Sequence, residues 1–113
     1  MRILVAAIAA TLSLTTIAAA DNIEGRWLTD SGATATIASC GKAFCITLSS
    51  GAHKGRRIGR MNADGESRYS GEITDPANNK TYAGKASLDG NSLSMKGCVL
   101  GGLICRGQKW TRM

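Results

Sequence analysis

Four cysteines are the residues best suited to chemistry in this chain, and they fall into two short-range pairs, Cys40 with Cys45 and Cys98 with Cys105. Thiolates at short spacing serve either as a zinc knuckle or as disulfides. The C-x4-C and C-x6-C spacings are looser than most knuckles, and the second pair is bracketed by apolar residues, which favours two disulfides over zinc. His53 is the only histidine and lies in the loop-like run Gly-Ala-His-Lys-Gly. With no nucleophile and carboxylate at recognisable positions, a hydrolytic triad does not assemble around it. Asp64, Glu66, Glu72 and Asp75 are close in sequence and would suit a glycosidase-like acid–base pair. Asp64 and Asp75, however, occupy turn positions, where such side chains hydrogen-bond the backbone. The expectation is a protein that is not an enzyme and carries neither metal nor cofactor.

Binding offers more candidates than catalysis. Tyr69 and Tyr82 can place hydroxyls on an otherwise apolar wall, which is how a small pocket sets specificity. Arg56 and Arg57 belong to the only basic cluster, Lys54 to Arg60, and would flank the mouth of such a pocket. The formal charge is +6, so anionic partners are favoured, among them lipid headgroups and other anionic envelope components. Nucleic acid is not expected. Beyond the first twenty residues the aromatics are Trp27, Phe44, Tyr69, Tyr82 and Trp110, too scattered to form a base-stacking platform beside the basic cluster.

The elements that must carry these residues read as strands. After residue 20 no long window shows apolar positions at helical spacing. Candidate strands are Gly25–Thr29, Ala33–Cys40, Cys45–Ser49, Arg56–Asn62, Ser67–Thr74, Thr81–Leu88, Ser92–Cys98 and Ile104–Arg112. Turn chemistry separates them: Asp30-Ser31-Gly32, Gly41-Lys42, Ala63-Asp64-Gly65, Asp75 to Asn79, Asp89-Gly90-Asn91 and Gly101-Gly102. Ile46 and Leu48 alternate with Thr47 and Ser49, and Leu93, Met95 and Gly97 alternate with Ser94 and Lys96, giving one packed and one wet face. Eight short strands joined by tight hairpins form an up-and-down meander, and closure into a barrel removes its two exposed edges. Gly71, Gly84, Gly97 and Gly107, inside the strands, suit the bends that a small barrel needs.

Ahead of this domain, Arg2 is followed by an apolar stretch from Ile3 to Ile17 and by Ala18-Ala19-Ala20 before Asp21. That is the pattern of a signal peptide with an Ala-x-Ala cleavage site. The stretch is interrupted by Thr11, Ser13, Thr15 and Thr16 and falls short of the roughly 18 to 20 apolar residues of a spanning helix. The expected division is a leader at 1–20 and a single domain at 21–113, exported to the periplasm or secreted, monomeric or weakly associating, and with no transmembrane anchor after cleavage. A domain this small buries a thin core and benefits from staples, which an oxidising compartment supplies as disulfides.

Hairpin geometry restricts how the cysteines pair. A loop from Gly41 to Phe44 sets Cys40 opposite Cys45, and a turn at Leu100 to Leu103 brings residues 98 and 105 into register. Each short loop would contribute roughly 2 to 2.5 kcal/mol, against about 4 for a bridge spanning the sheet. Registry nevertheless favours the local pairs.

Several motifs, taken in order, are Gly25-Arg26-Trp27, the Cys40/Cys45 hairpin, Gly71-Glu72-Ile73-Thr74-Asp75-Pro76, Lys80-Thr81-Tyr82, Gly97-Cys98 and Gln108-Lys109-Trp110-Thr111-Arg112. This set resembles an exported bacterial family known as domain of unknown function number 2147. The resemblance implies a periplasmic, lipocalin-like barrel and supplies no reaction. Longer members carry an Asp-rich, Asn-Pro segment where this chain has only Ser50 to Arg68. Gly25-x-Trp27 also looks like the lipocalin signature, which implies that Trp27 closes the barrel floor and that Arg112 from the last strand lies across its ring, a cation–π contact worth about 0.5 to 2 kcal/mol. The structural signature is thus Gly25, Trp27, Asp75, Pro76, Trp110 and Arg112. Two functions follow as expectations. One is a non-enzymatic module binding a small apolar or amphipathic molecule. The other is an envelope-associated interaction protein with a filled barrel that acts through its basic surface.

Overall fold

The computed structural model describes residues 22–113; the expected leader at 1–20 lies outside them. Eight antiparallel strands run in chain order: β1 (Gly25–Leu28), β2 (Thr34–Cys40), β3 (Ala43–Leu48), β4 (Arg57–Ala63), β5 (Arg68–Asp75), β6 (Lys80–Asp89), β7 (Ser92–Val99) and β8 (Ile104–Arg112). Each pairs with its sequence neighbour, and β1 meets β8 to close the barrel. A single turn of 3-10 helix, Leu100–Gly102, sits at the β7–β8 connection. The all-β, eight-stranded up-and-down barrel with two disulfides is therefore what this chain forms.

Alternation sorts the side chains as period-2 pleating requires. Ile37, Ile46, Met61, Tyr69, Ala86, Leu93 and Trp110 are buried and belong to one core cluster with Trp27 and Ile23. On β4 the alternation breaks, because Ile46 opposes Gly59 while Thr47 opposes Arg57. The extra residue, Ile58, is buried alongside Gly59, so this bulge turns two successive residues away from water.

Three glycines form a row across the sheet: Gly71 opposes Gly84, and Gly84 opposes Gly97. A Cβ on Gly71 would lie 2.0 Å from the Arg60 carbonyl oxygen, a backbone clash that nothing can relieve cheaply. A Cβ on Gly84 would press on the Met61 thioether at 3.2 Å, and one on Gly97 would press on the Tyr82 Cβ at 3.2 Å. The row lets the sheet coil tightly enough to close, with Met61 and Tyr82 crossing above it.

Both disulfides are the local ones, Cys40–Cys45 and Cys98–Cys105. Cys98 and Cys105 are directly opposite in the β7–β8 register. The first bridge departs from expectation. Cys40 opposes Ala43, and Ala38 opposes Cys45, so the bridge runs diagonally across the pair. The reason is the turn, which takes only Gly41 and Lys42, with Gly41 at φ 71°. Glycine tolerates that left-handed value without cost, and β3 starts two residues earlier than a four-residue loop would allow.

Candidate functional site: a cup open at one end of the barrel

The two ends of the barrel differ. At one end Ile23, just ahead of β1, folds under the floor, and its carbonyl accepts a 3.0 Å hydrogen bond from the Trp27 indole Nε1. The Arg112 guanidinium carbon stands 4.3 Å from the centroid of the Trp27 ring. The same guanidinium donates to the backbone carbonyls of Glu24 and Asn22. Gly25 makes room for it: the residue sits at φ 137°, and a Cβ there would be 3.1 Å from Arg112 Nη1. The Gly-x-Trp and Arg residues thus form one sealed floor.

The other end carries four connections and opens onto a cavity of about 1240 Å³. They are the chain segments 29–33, 49–56, 76–79 and 100–103. Leu48, Ile58, Ile73, Met95 and Trp110 give the cavity its apolar lining, with Tyr82 among them. Pockets of this kind, concave and mostly apolar with a few polar groups, are where proteins hold small molecules. The lining also carries Arg106 and Gln108 on one wall, both on inward-facing register positions of β8 shared with Trp110. The Trp110 indole Nε1 donates to Gln108 Oε1 at 3.0 Å. Because an indole nitrogen can only donate, this bond fixes the amide's orientation and leaves the Gln108 NH2 group as a donor. Together with the Arg106 guanidinium it makes that wall rich in N–H groups.

The barrel wall is low on this side. β8 pairs with β7 from Ile104 to Thr111, but with β1 only through Trp27 opposite Arg112 and Leu28 opposite Thr111. β1 ends at Leu28, so above that seam the cavity is flanked only by the Thr29–Ala33 turn. The turn itself is firm, since Thr29 Oγ1 donates to the Ala33 carbonyl at 2.7 Å.

The residues singled out by sequence are dispersed. Tyr82 lines the cup. Tyr69 is buried in the core and packs edge-on against Phe44 at 5.7 Å between ring centroids. Arg56 is on the rim, where Nη1 donates to the Pro76 carbonyl at 3.2 Å and Nη2 to Asn79 Oδ1, strapping two connections together. Arg57 is exposed on β4 opposite Thr47. Asp75 and Pro76 form the β5–β6 turn, with Asp75 Oδ1 accepting from the Ala77 amide at 2.9 Å. Trp110 joins floor to cup, being fully enclosed and also part of the cavity lining. Arg106, Gln108 and the apolar pair Val99 and Ile104, which also line the cup, were missed by sequence reasoning. The signal that could have found them is the alternation Ile104, Arg106, Gln108, Trp110 on one face of β8. Among the described residues no three His, Cys, Asp or Glu side chains gather as a metal site. No helix among them is long and apolar enough to cross a membrane.

Fold and site define a small closed β-barrel with a sealed floor and a one-sided cup. A family model described as an uncharacterized protein conserved in bacteria, domain of unknown function 2147, matches residues 48–112, and the chain belongs to that family. The matched span begins at the end of β3 and contains the bulged residue Ile58, the glycine row, the second disulfide and most of the cup. No curated protein and no solved structure matches the chain.

Proposed function

We propose that this barrel is a non-enzymatic binding module for one small amphipathic molecule, operating as a monomer in the periplasm or after secretion. The observation that carries the reading is the cavity of about 1240 Å³, open at one end and walled by Leu48, Ile58, Ile73, Met95 and Trp110. An apolar body in that space removes its own surface from water at about 25 cal/mol per Å². Its polar or anionic end meets Arg106 and Gln108, whose N–H groups line one wall. Tyr82 adds a hydroxyl to the same space. The two disulfides are compatible with an oxidising compartment.

The test pairs native mass spectrometry of protein purified from the periplasm with titration by N-phenyl-1-naphthylamine, a neutral apolar fluorophore. A small-molecule adduct lost on denaturation, or saturable one-site dye binding that quenches Trp110, is the expected result. Ile73→Trp places a bulky ring in the cup and is expected to weaken dye binding at least about tenfold. Absence of both adduct and saturable binding would overturn the reading.

A further inference from the structure

Apolar side chains are concentrated at one exposed point of the molecule. Of the six large apolar residues that are well exposed among the described residues, four belong to the β7–β8 tip: Val99, Leu100, Leu103 and Ile104. Leu103 is 86% exposed and Leu100 68%. Leu100 is held at φ 54°, a left-handed conformation that bulky residues rarely adopt and that Gly or Asn would occupy more readily. The tip therefore keeps a leucine in water against both solvation and backbone preference. Immediately behind it, Cys98 and Cys105 are linked with their Cα atoms 4.1 Å apart, so the hairpin is stapled at its base and loses little freedom on binding anything.

Charge indicates what it binds. From Gly90 to Met113 there is no Asp or Glu, while Lys96, Arg106, Lys109 and Arg112 are all basic. Arg106 opposes Gly97 and Lys96 opposes Gly107, with Lys109 farther back opposite Ser94, so the hairpin shank behind the apolar tip carries cations only. An apolar point backed by unopposed cations matches the layered chemistry of an anionic bilayer surface, with acyl chains below and phosphate headgroups above. A second copy of the chain would bring identical cations face to face.

We propose that the β7–β8 hairpin docks this protein on an anionic membrane surface, Leu100 and Leu103 entering the acyl boundary while Lys96 and Arg106 meet the phosphates. The tip belongs to the same end of the barrel as the cup's mouth, so docking turns that mouth toward the lipid. Docking shares Arg106 with the proposed cup site, and the Ile73→Trp variant separates the two readings.

All eight strands of the closed barrel and both disulfides lie within the described residues 22–113, and the chain beginning at Asp21 is the protein to test. It is floated with phosphatidylcholine vesicles containing about 30% phosphatidylglycerol, beside a Leu100→Asn/Leu103→Ser variant and the cup-filling Ile73→Trp variant. The parent and Ile73→Trp are expected to float, and the double variant to partition at least about tenfold less with a urea midpoint no lower than the parent's. Raising the salt to about 0.5 M is expected to weaken the parent's binding. Equal flotation of parent and double variant, or none by the parent, would overturn the proposal. A parent that stays off vesicles but dimerises in light scattering, with a monomeric double variant, would overturn it in favour of a second copy on the tip.

Discussion

At the floor of this barrel the large inward side chains pack against one another. Trp27 is sealed by Ile23 below and by the Arg112 guanidinium across its face. At the mouth the same alternation of inward residues continues along β8, yet Ile104 and Arg106 meet open space, Gln108 lines it while accepting from the Trp110 indole, and Leu100 and Leu103 stand in water. The contrast arises from strand lengths. Four-residue β1 closes the ring only at Trp27 and Leu28, whereas nine-residue β8 continues well past it. Trp27 and Ile23 pack into the core at the floor end, while the mouth end opens onto the cavity.

Trp27→Ala should break this division most severely, because it removes a fully buried ring together with its hydrogen bond and its cation partner. We expect a loss of about 3 to 5 kcal/mol in urea unfolding, enough to unfold much of so small a domain. A loss below about 1 kcal/mol would show that the floor does not anchor the fold.

The disulfides sharpen the comparison, since Cys40–Cys45 adjoins the β2–β3 turn at the floor end and Cys98–Cys105 adjoins the mouth. Replacing each pair by serine should cost roughly 2 to 2.5 kcal/mol on loop entropy alone. If thermal unfolding detects the first loss and not the second, the hairpin tip lies outside the cooperative unit.

Arg112→Lys keeps the charge and gives up the planar fork that reaches Glu24, Asn22 and the Trp27 ring together. A cost of about 1 to 2 kcal/mol is expected in the same urea assay. An unchanged midpoint would assign the contact no net stabilisation.

The smallest effect belongs to the mouth. Leu100→Asn replaces an exposed leucine at φ 54° with a residue suited to that conformation, and should leave stability unchanged or raise it by up to about 1 kcal/mol. Clear destabilisation in calorimetry would mean that the tip packs against something in the folded monomer.

Much of the architecture is local and so was legible in the residues themselves. All eight strands lie where alternation and turn chemistry put them, with ends shifted by one or two residues. Cys98 and Cys105 pair because a turn at 100–103 dictates their register. Gly25, Trp27 and Arg112 meet as the lipocalin resemblance implied. The Cys40 register depended on a finer matter, whether the turn consumes two residues or four, and a local pattern does not resolve that when Ala43 and Phe44 suit a strand as well as a loop.

Which inward side chain meets a neighbour and which meets a void is decided only by tertiary structure. Tyr69 and Tyr82 are both inward on adjacent strands, yet Tyr69 is buried against Phe44 while Tyr82 faces the cup. The basic cluster that stood out along the chain divides, with Arg56 tying the rim and Arg57 pointing to solvent on the wall, while Arg106, isolated in sequence, lines the cavity. Period-2 pleating tells a residue which face it occupies; its height along the barrel follows from the combined stagger of all eight strands, from the glycine row that lets β5, β6 and β7 coil, and from where β1 stops. Those quantities are sums over the whole ring, and no short window of sequence contains them.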